Sequence, residues 1–258
     1  MKDLYLSVVI PSYNETENLQ RGVLAEVANY LKRQKYSWEV IVVDDESPDP
    51  EARKLAKDFC SANPGFVFIQ AKHGGKAMSI YQGVKESKGK IILFTDMDQS
   101  APISELEKLL PKFDEGYDVV IGSRGLERKN FSPLRKLASF IFRNFRNIIL
   151  ASNIVDTQAG FKAFRSEVAK EIFPALSVIK RSGAAQGWTV GAFDVEFLVI
   201  ARMRGYKIAE VFIKWEDRDE SVAKAQERRQ GKFIKESVDM AKEVLRVKYN
   251  QTMGYYKR

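Results

Sequence analysis

The sequence predicts an α/β protein with a mostly parallel central sheet that is covered by helices on both faces. Three observations lead to this prediction. Short apolar runs recur along the first half of the chain, and each suits a strand that is buried on both sides. Helical patterns alternate with these runs through short links. At 258 residues the chain is near the upper limit for one core, so a single large domain is expected.

The elements of the first half follow in order. A strand at 6–10 ends at Pro11, and the helix after it places Leu19, Val23, Val27 and Leu31 on one face. Further strands are predicted at 38–43, 66–69, 91–94 and 119–121. Helices are predicted at 50–62 and 77–86. In such a sheet ligands bind beyond the carboxyl ends of the strands, so these ends are where a site is expected.

The second half is less regular. Apolar residues recur at helical spacing over 134–149, and basic residues fill the other face of that helix. An edge strand is predicted at 208–215, and the charged stretch 221–247 is expected to be helical. Residues 249–258 look frayed and basic. We therefore divide the chain into a main domain at 1–220 and a charged C-terminal helix and tail at 221–258.

Composition limits the classes of function. A single cysteine, Cys60, excludes an internal disulfide, and together with the single histidine, His73, it argues against a zinc site. The chain starts almost directly with a strand, so no signal peptide is expected, and no apolar run reaches the roughly 18 residues of a membrane span. The net charge of +8 favours anionic partners such as phosphates, nucleic acid or an acidic membrane surface.

Two carboxylates, Asp96 and Asp98, follow the apolar run at 91–94. Side chains two apart in an extended chain point the same way, so both carboxylates are expected to face one site. Like charges this close are costly unless a cation lies between them, and hard divalent ions such as Mg2+ or Mn2+ prefer oxygen ligands. The alternative is a polar turn that binds nothing.

Polar residues stand at three other strand ends, at 13–15, 44–46 and 74–76. The Gly-Gly-Lys sequence at 74–76 is too short for a phosphate-binding Walker motif, and no Gly-x-Gly-x-x-Gly follows the first strand. A dinucleotide fold is therefore disfavoured. Four polar strand ends on one edge of the sheet still predict one site.

An ordered set of motifs resembles family 2 glycosyltransferases of the GT-A fold. The set includes Ser-Val-Val-Ile-Pro-Ser-Tyr-Asn-Glu at 7–15, Val-Val-Asp-Asp-Glu-Ser-Pro-Asp at 42–49, Gly-Gly-Lys-Ala at 74–77 and Asp-Met-Asp at 96–98. Ile-Gly-Ser-Arg at 121–124, Asp-Thr-Gln-Ala-Gly-Phe-Lys-Ala-Phe at 156–164 and Phe-Asp-Val-Glu-Phe at 193–197 narrow the resemblance to polyprenyl-phosphate sugar transferases, especially dolichyl-phosphate β-glucosyltransferase. The resemblance spans roughly residues 5 to 225.

The resemblance implies roles for residues on the donor side. The nucleotide sugar is expected to be held by Pro11, Tyr13, Glu15, Asp44, Asp45, Lys76, Asp96 and Arg218, with Tyr13 stacking on the base and Arg218 closing over the diphosphate. The implied metal ligands are Asp96, Asp98 and Gln99, for Mg2+ or Mn2+. A metal that bridges the diphosphate stabilises the charge of the leaving group. The alternative for Tyr13 and Glu15 is a helix start with an aromatic contact.

The resemblance also implies an acceptor site. Arg124, Arg135 and Ser139 match positions that bind the acceptor phosphate, and arginine forks suit phosphate geometry. The basic helix at 134–149 suits a membrane surface. The alternative is a helix that packs its apolar stripe on the sheet with its basic face in water.

Asp194 is the remaining candidate, since a carboxylate deprotonates the alcohol acceptor in many inverting transferases. A phosphate monoester is already ionised near pH 7 and needs no strong base. We therefore expect Asp194 to position the sugar or the acceptor, with general base as a reserve role and helix capping as the alternative. The 183–191 loop before it is glycine-rich and is expected to close over the sugar.

Three hypotheses of function follow. The first is an inverting, metal-dependent transfer of glucose or mannose from UDP-glucose or GDP-mannose to a polyprenyl phosphate, with Asp98, Arg124 and Asp194 as the catalytic residues. The second is a family 2 transferase with a hydroxyl acceptor. The third, a nucleic-acid-binding module, needs exposed aromatic residues among the basic ones, whereas the aromatic residues here follow strand and helix periods. The first hypothesis places the protein at the cytoplasmic face of a membrane, peripherally bound, where a separate membrane protein is a further candidate partner.

Overall fold

The computed structural model describes residues 3–125, Asn147, 154–180, 193–218 and 232–256, with the side chains of 232–238 left out. Seven strands of this part of the chain form one sheet. They are β1 (Leu6–Ser12), β2 (Trp38–Asp44), β3 (Phe66–Gln70), β4 (Ile91–Thr95), β5 (Val119–Ser123), β6 (Phe161–Arg165) and β7 (Ile208–Phe212).

Helices cover the sheet. The helices of the described residues are α1 (Thr16–Gln20), α2 (Val23–Leu31), α3 (Pro50–Ala62), α4 (Lys76–Glu86), α5 (Leu106–Asp114), α6 (Ser166–Ile172), α7 (Ser177–Lys180), α8 (Phe193–Met203) and α9 (Lys232–Thr252). The sequence predicted one helix in place of α1 and α2. Gly22 divides them because its φ of +86° is left-handed and does not continue a helix.

The strand order is β3-β2-β1-β4-β6-β5-β7, and neighbouring strands run parallel except at β6. Strand β6 is antiparallel to both β4 and β5. The predicted mostly parallel sheet is therefore confirmed, and β7 lies at the predicted edge. Because β1, β2 and β4 run the same way, their carboxyl ends open on one edge of the sheet.

Both faces of the sheet are buried. In β1, Val8 and Ile10 pack into a core with α2, α3 and α5, whereas Val9 faces a second core with α4, α6 and α8. This is the alternation expected of a strand, with apolar residues on both sides because helices lie on both sides. The apolar runs seen in the sequence are these doubly buried strands.

Strand β6 was not predicted. Its stretch was assigned to a motif rather than to an element, because Gly160 precedes it and Lys162 interrupts its apolar residues. In the structure Lys162 is only 2% exposed and lies opposite Phe94 of β4. A buried charge at this position needs a partner, and that partner lies in the site described below.

Several predicted features lie outside the described residues. They are the 134–149 helix (apart from Asn147, which is helical), with Arg135 and Ser139, and the 183–191 loop. Among the residues that the structure does describe, no helix is both long and apolar enough to cross a membrane.

The interpretation of 249–258 as a frayed tail is wrong for the described residues up to 256. Helix α9 continues to Thr252, and its Val244 and Val247 are fully buried against the core around α8. Tyr256 is 2% exposed, and its hydroxyl donates a hydrogen bond of 2.6 Å to Glu196 Oε1 on α8. The charged composition that suggested fraying belongs to one face of a packed helix.

Glu196 is a buried carboxylate that collects donors from two segments of the chain. It is fully buried, and it accepts hydrogen bonds from the Ser177 backbone amide at 3.1 Å, from the Ser177 hydroxyl and from Tyr256. Asn250 donates to both Ser177 Oγ and Tyr256 Oη, at 3.1 and 3.2 Å. These bonds fasten the end of α9 to α7 and α8.

Replacing Tyr256 tests this attachment. We expect Tyr256→Phe to lower the free energy of unfolding by about 1.5–3 kcal/mol, because a hydrogen bond to a buried carboxylate is lost. Tyr255→Phe is the matched control, since Tyr255 is 62% exposed and should change stability little. Chemical denaturation of both variants measures the difference. Equal stability of the two variants would contradict the attachment.

Candidate active site

The turn after β4 lies at the centre of the candidate site. Strand β4 ends at Thr95, and residues 96–99 form a turn in which the Gln99 amide donates to the Asp96 carbonyl at 3.3 Å. Gln99 has a φ of +51°. The expected extended geometry, in which the side chains of Asp96 and Asp98 point the same way, is therefore wrong, because the strand ends at Thr95 and the turn sets the direction of each side chain separately.

Asp96 is paired with a lysine from the glycine loop. Lys76, the first residue of α4, places its ammonium 2.6 Å from Asp96 Oδ1. Burial lowers the pKa of Lys76, but the carboxylates of Asp96, Asp194 and Asp98 outweigh it, so the pKa lies above its ordinary value. The loop and the turn therefore meet as a cation and an anion, as their shared edge predicted.

The residues predicted to hold a metal have suitable oxygen atoms. Asp98 Oδ1 accepts from the Ser100 amide at 2.8 Å. Gln99 is 2% exposed, and within the described part of the chain its Oε1 is buried without a hydrogen-bond partner. An unsatisfied amide oxygen beside two carboxylates is chemically suited to Mg2+ or Mn2+. In the described ranges no three acidic, histidine or cysteine side chains are placed so that they could hold a metal ion by themselves, so substrate oxygens or water would complete the coordination.

Gly160 holds the backbone of β6 against Asp96. The Asp96 amide donates to the Gly160 carbonyl at 3.1 Å. A Cβ atom at position 160 would lie 1.8 Å from Asp96 Oδ2, which no side chain permits. Glycine is therefore required here by close approach, and the antiparallel strand supports the floor of the carboxylate turn.

Lys162 and Asp194 form a second ion pair in the same neighbourhood. The Lys162 ammonium lies 2.8 Å from Asp194 Oδ1 and also donates to the Ala159 carbonyl. The ammonium groups of Lys76 and Lys162 lie 5.3 and 5.9 Å from the centre of the Phe94 ring. Both ion pairs therefore border one aromatic side chain at the end of β4.

Asp194 lies in the first turn of α8. Burial raises the pKa of its carboxyl above the ordinary value, and the neighbouring Lys162 and Lys76 offset part of this rise. Sequence reasoning did not identify Lys162 as the partner. The signal was a lysine at a position where the surrounding strand residues are apolar.

Arg124 extends the site beyond β5. Its guanidinium binds Asp156 in a fork, with Nε–Oδ2 at 2.6 Å and Nη2–Oδ1 at 2.9 Å, and it lies 5.5 Å from the centre of the Trp215 ring. Burial lowers the pKa of Arg124, but the carboxylates of Asp156, Asp96 and Asp194 raise it by more. The pKa therefore lies above its ordinary value, and the group stays charged. Asp156 was within a quoted motif but had no predicted role.

Asp156 is itself held by Glu210 of β7. The Glu210 carboxylate accepts from the backbone amides of Val155 and Asp156, at 2.9 and 2.8 Å. A carboxylate on the edge strand thus orients the loop that orients Arg124. This second support was not visible in the sequence, because Glu210 lies 54 residues from the loop.

The predicted donor-binding residues lie at the ends of β1 and β2. Pro11 is buried within β1. Tyr13 stacks on His73, with ring centroids 5.2 Å apart and an interplanar angle of 29°. Glu15 accepts from Asn18 Nδ2 at 2.6 Å. Asp44 is buried and accepts from the Ser47 hydroxyl and amide, and burial raises the pKa of its carboxyl.

Asp45 is engaged with the glycine loop. It accepts from the amides of Gly74 and Gly75 at 2.9 and 3.0 Å, and its Oδ2 lies 2.8 Å from His73 Nδ1. Its side chain is fully buried. In this arrangement Asp45 positions the loop that carries Lys76, and through His73 it connects the loop to Tyr13.

Arg218 is placed near the acidic turn by its backbone, while its side chain reaches Glu26 on α2. Its amide donates to Ser100 Oγ at 3.2 Å, and its guanidinium binds the Glu26 carboxylate at 2.9 and 3.0 Å. The Glu26 hydrogen bond raises the pKa of Arg218 above its ordinary value, against a smaller effect of burial.

Arg21, which sequence reasoning missed, joins three donor-side segments. Its Nη2 donates to the Asp98 carbonyl at 2.8 Å and to Asn18 Oδ1 at 3.0 Å, and its Nη1 donates to the Arg218 carbonyl at 2.6 Å. The acceptors at 98 and 218 are 77 and 197 residues away. A lone arginine at the end of α1 carries no sequence signal for such contacts.

Comparison with protein families identifies the family of the chain. The sequence profile described as "Glycosyl transferase family 2" matches residues 7–173, which contain the carboxylate turn, the glycine loop and both ion-paired cations. The chain belongs to glycosyl transferase family 2. The predicted family is therefore confirmed, and with it the assignment as a glycosyltransferase.

Curated family 2 relatives cover most of the chain. A protein named dolichyl-phosphate beta-glucosyltransferase from Homo sapiens is 35% identical over 228 residues, which are 81% of this chain and 67% of that one. Its namesake from Saccharomyces cerevisiae is 30% identical and covers 99% of this chain and 78% of its own length. A dolichol-phosphate mannosyltransferase from Pyrococcus furiosus is 34% identical and covers 78% of this chain and 58% of its own length.

Solved structures show the same fold. Glucosyl-3-phosphoglycerate synthase from Mycobacterium tuberculosis in complex with uridine diphosphate aligns with a TM-score of 0.65 at 16% identity, over 95% of this chain and 80% of that one. Mannosyl-3-phosphoglycerate synthase from Rubrobacter xylanophilus aligns with a TM-score of 0.58 at 17% identity, over 99% and 76%. The family 2 chain therefore has the predicted GT-A fold.

Removing Arg21 tests whether it positions the donor side. We expect Arg21→Ala to weaken binding of a nucleoside diphosphate by roughly ten- to a hundredfold, because each charge-assisted hydrogen bond contributes about 1.5–3 kcal/mol. Arg21→Lys should not restore binding, because one ammonium cannot span three acceptors. Isothermal titration calorimetry measures the affinity. Arg33→Ala, a change at an exposed arginine near the end of α2, is the control. Unchanged affinity in Arg21→Ala would show that these contacts serve stability alone.

Proposed function

We propose that this protein transfers a hexose from a nucleoside-diphosphate sugar to a polyprenyl phosphate of the dolichyl type, with UDP-glucose as the first candidate donor and GDP-mannose as the second. The observation that carries the proposal is the convergence of Asp96–Lys76, Lys162–Asp194 and Arg124–Asp156 at one sheet edge. A site with both fixed cations and carboxylates suits a reaction between two phosphate-bearing substrates.

The names of the curated relatives support the acceptor class. Among eight similar curated proteins, seven are named dolichyl-phosphate beta-glucosyltransferase and one is named dolichol-phosphate mannosyltransferase. The prevalence of glucosyl names favours glucose over mannose. Structures of fold neighbours in complex with Mn2+ and uridine diphosphate-glucose favour a uridine donor.

The proposed reaction is a single displacement with inversion at the anomeric carbon. An oxygen of the acceptor phosphate forms a bond to the anomeric carbon as the bond to the diphosphate oxygen breaks, and the electron pair leaves with the nucleoside diphosphate. The acceptor phosphate is ionised near pH 7, so no base is required. Asp98, Arg124 and Asp194 are the residues we assign to the reaction.

The donor is held by residues of the β1, β2 and β4 ends. Tyr13 and Glu15 are assigned to the base and ribose, together with Pro11, Asp44 and Asp45, which shape the loops around them. Asp96, Asp98 and Gln99 would hold Mg2+ or Mn2+, which supplies charge stabilisation to the departing diphosphate when bound. Lys76 lies beside Asp96 and adds a fixed positive charge, and Arg218 is assigned to the diphosphate.

The acceptor phosphate is assigned to Arg124, Arg135 and Ser139. In the structure Arg124 emerges beyond β5 with its guanidinium oriented by Asp156, so it is already fixed before a phosphate arrives. Fixed donors need no reorganisation when charge develops, which is the property expected of a catalytic cation. We place the protein at the cytoplasmic face of a membrane, peripherally bound, where such an acceptor would reside.

A donor and acceptor panel tests the proposal. Purified protein is incubated with Mn2+ or Mg2+, with UDP-glucose or GDP-mannose, and with or without polyprenyl phosphate, and products are identified by mass. We expect a polyprenyl-phosphate hexose that disappears in excess chelator and in Asp98→Ala. Transfer to a hydroxyl acceptor instead would support the second hypothesis. In that case Asp194, whose pKa is raised by burial, becomes the candidate base.

Arg135→Ala separates acceptor binding from donor binding. Losing one charged hydrogen-bond partner costs about 1.5–3 kcal/mol, so the KM for polyprenyl phosphate should rise roughly ten- to a hundredfold. Hydrolysis of the nucleotide sugar by water needs no acceptor and should be nearly unchanged. If hydrolysis falls as much as transfer, Arg135 serves the donor.

A further inference from the structure

The outer face of α9 carries apolar side chains in water. Leu245, Tyr249 and Met253 follow one another at intervals of four residues and are 50%, 58% and 59% exposed, and Tyr255 beyond the helix end is 62% exposed. Residues four apart lie on one face of a helix. These four residues form what we call the C-terminal apolar stripe.

The opposite face of α9 is firmly packed. Val244 and Val247 are fully buried, and Tyr256 is bound to Glu196. The stripe therefore does not result from a loose tail, because the inner contacts fix which side chains face outward. A contiguous exposed apolar surface on a fixed helix is typical of an interaction site.

The charge around the stripe favours an anionic partner. Residues 244–258 contain four basic side chains and no acidic one. Lys242, one turn before the stripe begins, is 71% exposed and pairs with the exposed Asp239 at 3.4 Å, and Glu243 is bound to Arg246 at 2.5 Å, so the excess of positive charge lies in the segment after Glu243. Apolar and tyrosine side chains bordered by basic residues are the pattern of a helix that lies in a membrane interface.

The same helix adjoins the candidate acceptor side. Gln158 donates to Met240 Sδ of α9 at 3.2 Å, and the Gln158 amide donates to Asp156, the partner of Arg124. A rise of about 1.5 Å per residue puts Met253 roughly 20 Å along the helix from Met240. The stripe therefore lies on the same helix that contacts the loop of the proposed acceptor site.

We propose that the C-terminal apolar stripe is the surface through which this protein binds an anionic lipid bilayer. The inference rests on the proposed function in one respect, since a polyprenyl phosphate acceptor is embedded in such a bilayer. The apolar side chains and tyrosine rings enter the interface, and the basic residues contact the anionic headgroups.

Vesicle binding without substrates tests the surface directly. The full-length protein is sedimented with vesicles of phosphatidylcholine alone or with added phosphatidylserine, at low and high salt. We expect binding to the anionic vesicles that weakens several-fold at high salt, since surface charges are screened. The combined variant Leu245→Ser, Tyr249→Ser and Met253→Ser should bind the anionic vesicles at least roughly tenfold more weakly, because it loses the apolar area that the interface buries.

Val67→Ser is the matched control, since Val67 of β3 is 45% exposed but lies outside the stripe. It should bind vesicles as the unaltered protein does. Thermal unfolding of all variants shows that the exposed substitutions leave the fold intact. Equal vesicle binding by the stripe variant and Val67→Ser would overturn the proposal.

Two further measurements separate this inference from the proposed function. In detergent with a short-chain polyprenyl phosphate, the stripe variant should retain full transfer, whereas with acceptor in vesicles its transfer should fall about as much as its binding. Absence of transfer by the unaltered protein in detergent would count against the proposed function and leave vesicle binding as a separate result. Light scattering gives the oligomeric state. If the unaltered protein is a dimer and the stripe variant is a monomer, the stripe binds a second copy of the chain instead, which would overturn the proposal.

Discussion

The buried ion pair between Lys162 and Asp194 joins the sheet to helix α8 beneath the candidate site. Lys162 is on β6, the strand that runs antiparallel to its neighbours β4 and β5. Its buried ammonium is stabilised by the Asp194 carboxylate and the Ala159 carbonyl. The pair therefore connects β6 to the first turn of α8. The same strand brings Gly160 against Asp96, so one inserted strand determines both the carboxylate turn and the start of the helix.

Three carboxylates around the site, those of Asp45, Glu196 and Glu210, accept hydrogen bonds from backbone amides. Glu210 holds the 155–156 segment, and Asp45 holds the amides of the 74–75 segment. Glu196 accepts from the Ser177 amide at the start of α7 and from the Tyr256 hydroxyl after α9. Glu210 and Asp45 each accept two backbone hydrogen bonds from a segment without regular structure, and these bonds replace the support that a helix or strand would give. These hydrogen bonds attach the loops next to Lys76 and Arg124 to the end of β2 and to β7.

The parts that could be predicted from sequence are those that depend on local patterns. Doubly buried strands, strand-end polar residues and the family resemblance all follow from short stretches. The parts that could not be predicted depend on distance in the chain: Arg21 finds acceptors 77 and 197 residues away, and Tyr256 finds Glu196 60 residues away. Strand β6 was missed for a different reason. A lysine within a short apolar run argues against a buried strand unless its partner, here Asp194, is known. A charged composition alone likewise concealed the buried face of α9.

The ion pair between Glu26 and Arg218 determines the free energy that is needed to release the Arg218 side chain. The two side chains are 45% and 28% exposed, and surface pairs of this kind contribute about 0–1 kcal/mol. If Arg218 must leave Glu26 to reach a diphosphate, the apparent donor affinity falls by at most about fivefold. Releasing the Arg218 side chain from Glu26 thus needs little free energy, and the Arg218 backbone amide is bound to Ser100 Oγ at 3.2 Å. If Arg218 binds the diphosphate as proposed, this step moves one side chain and leaves its backbone contact with Ser100 in place.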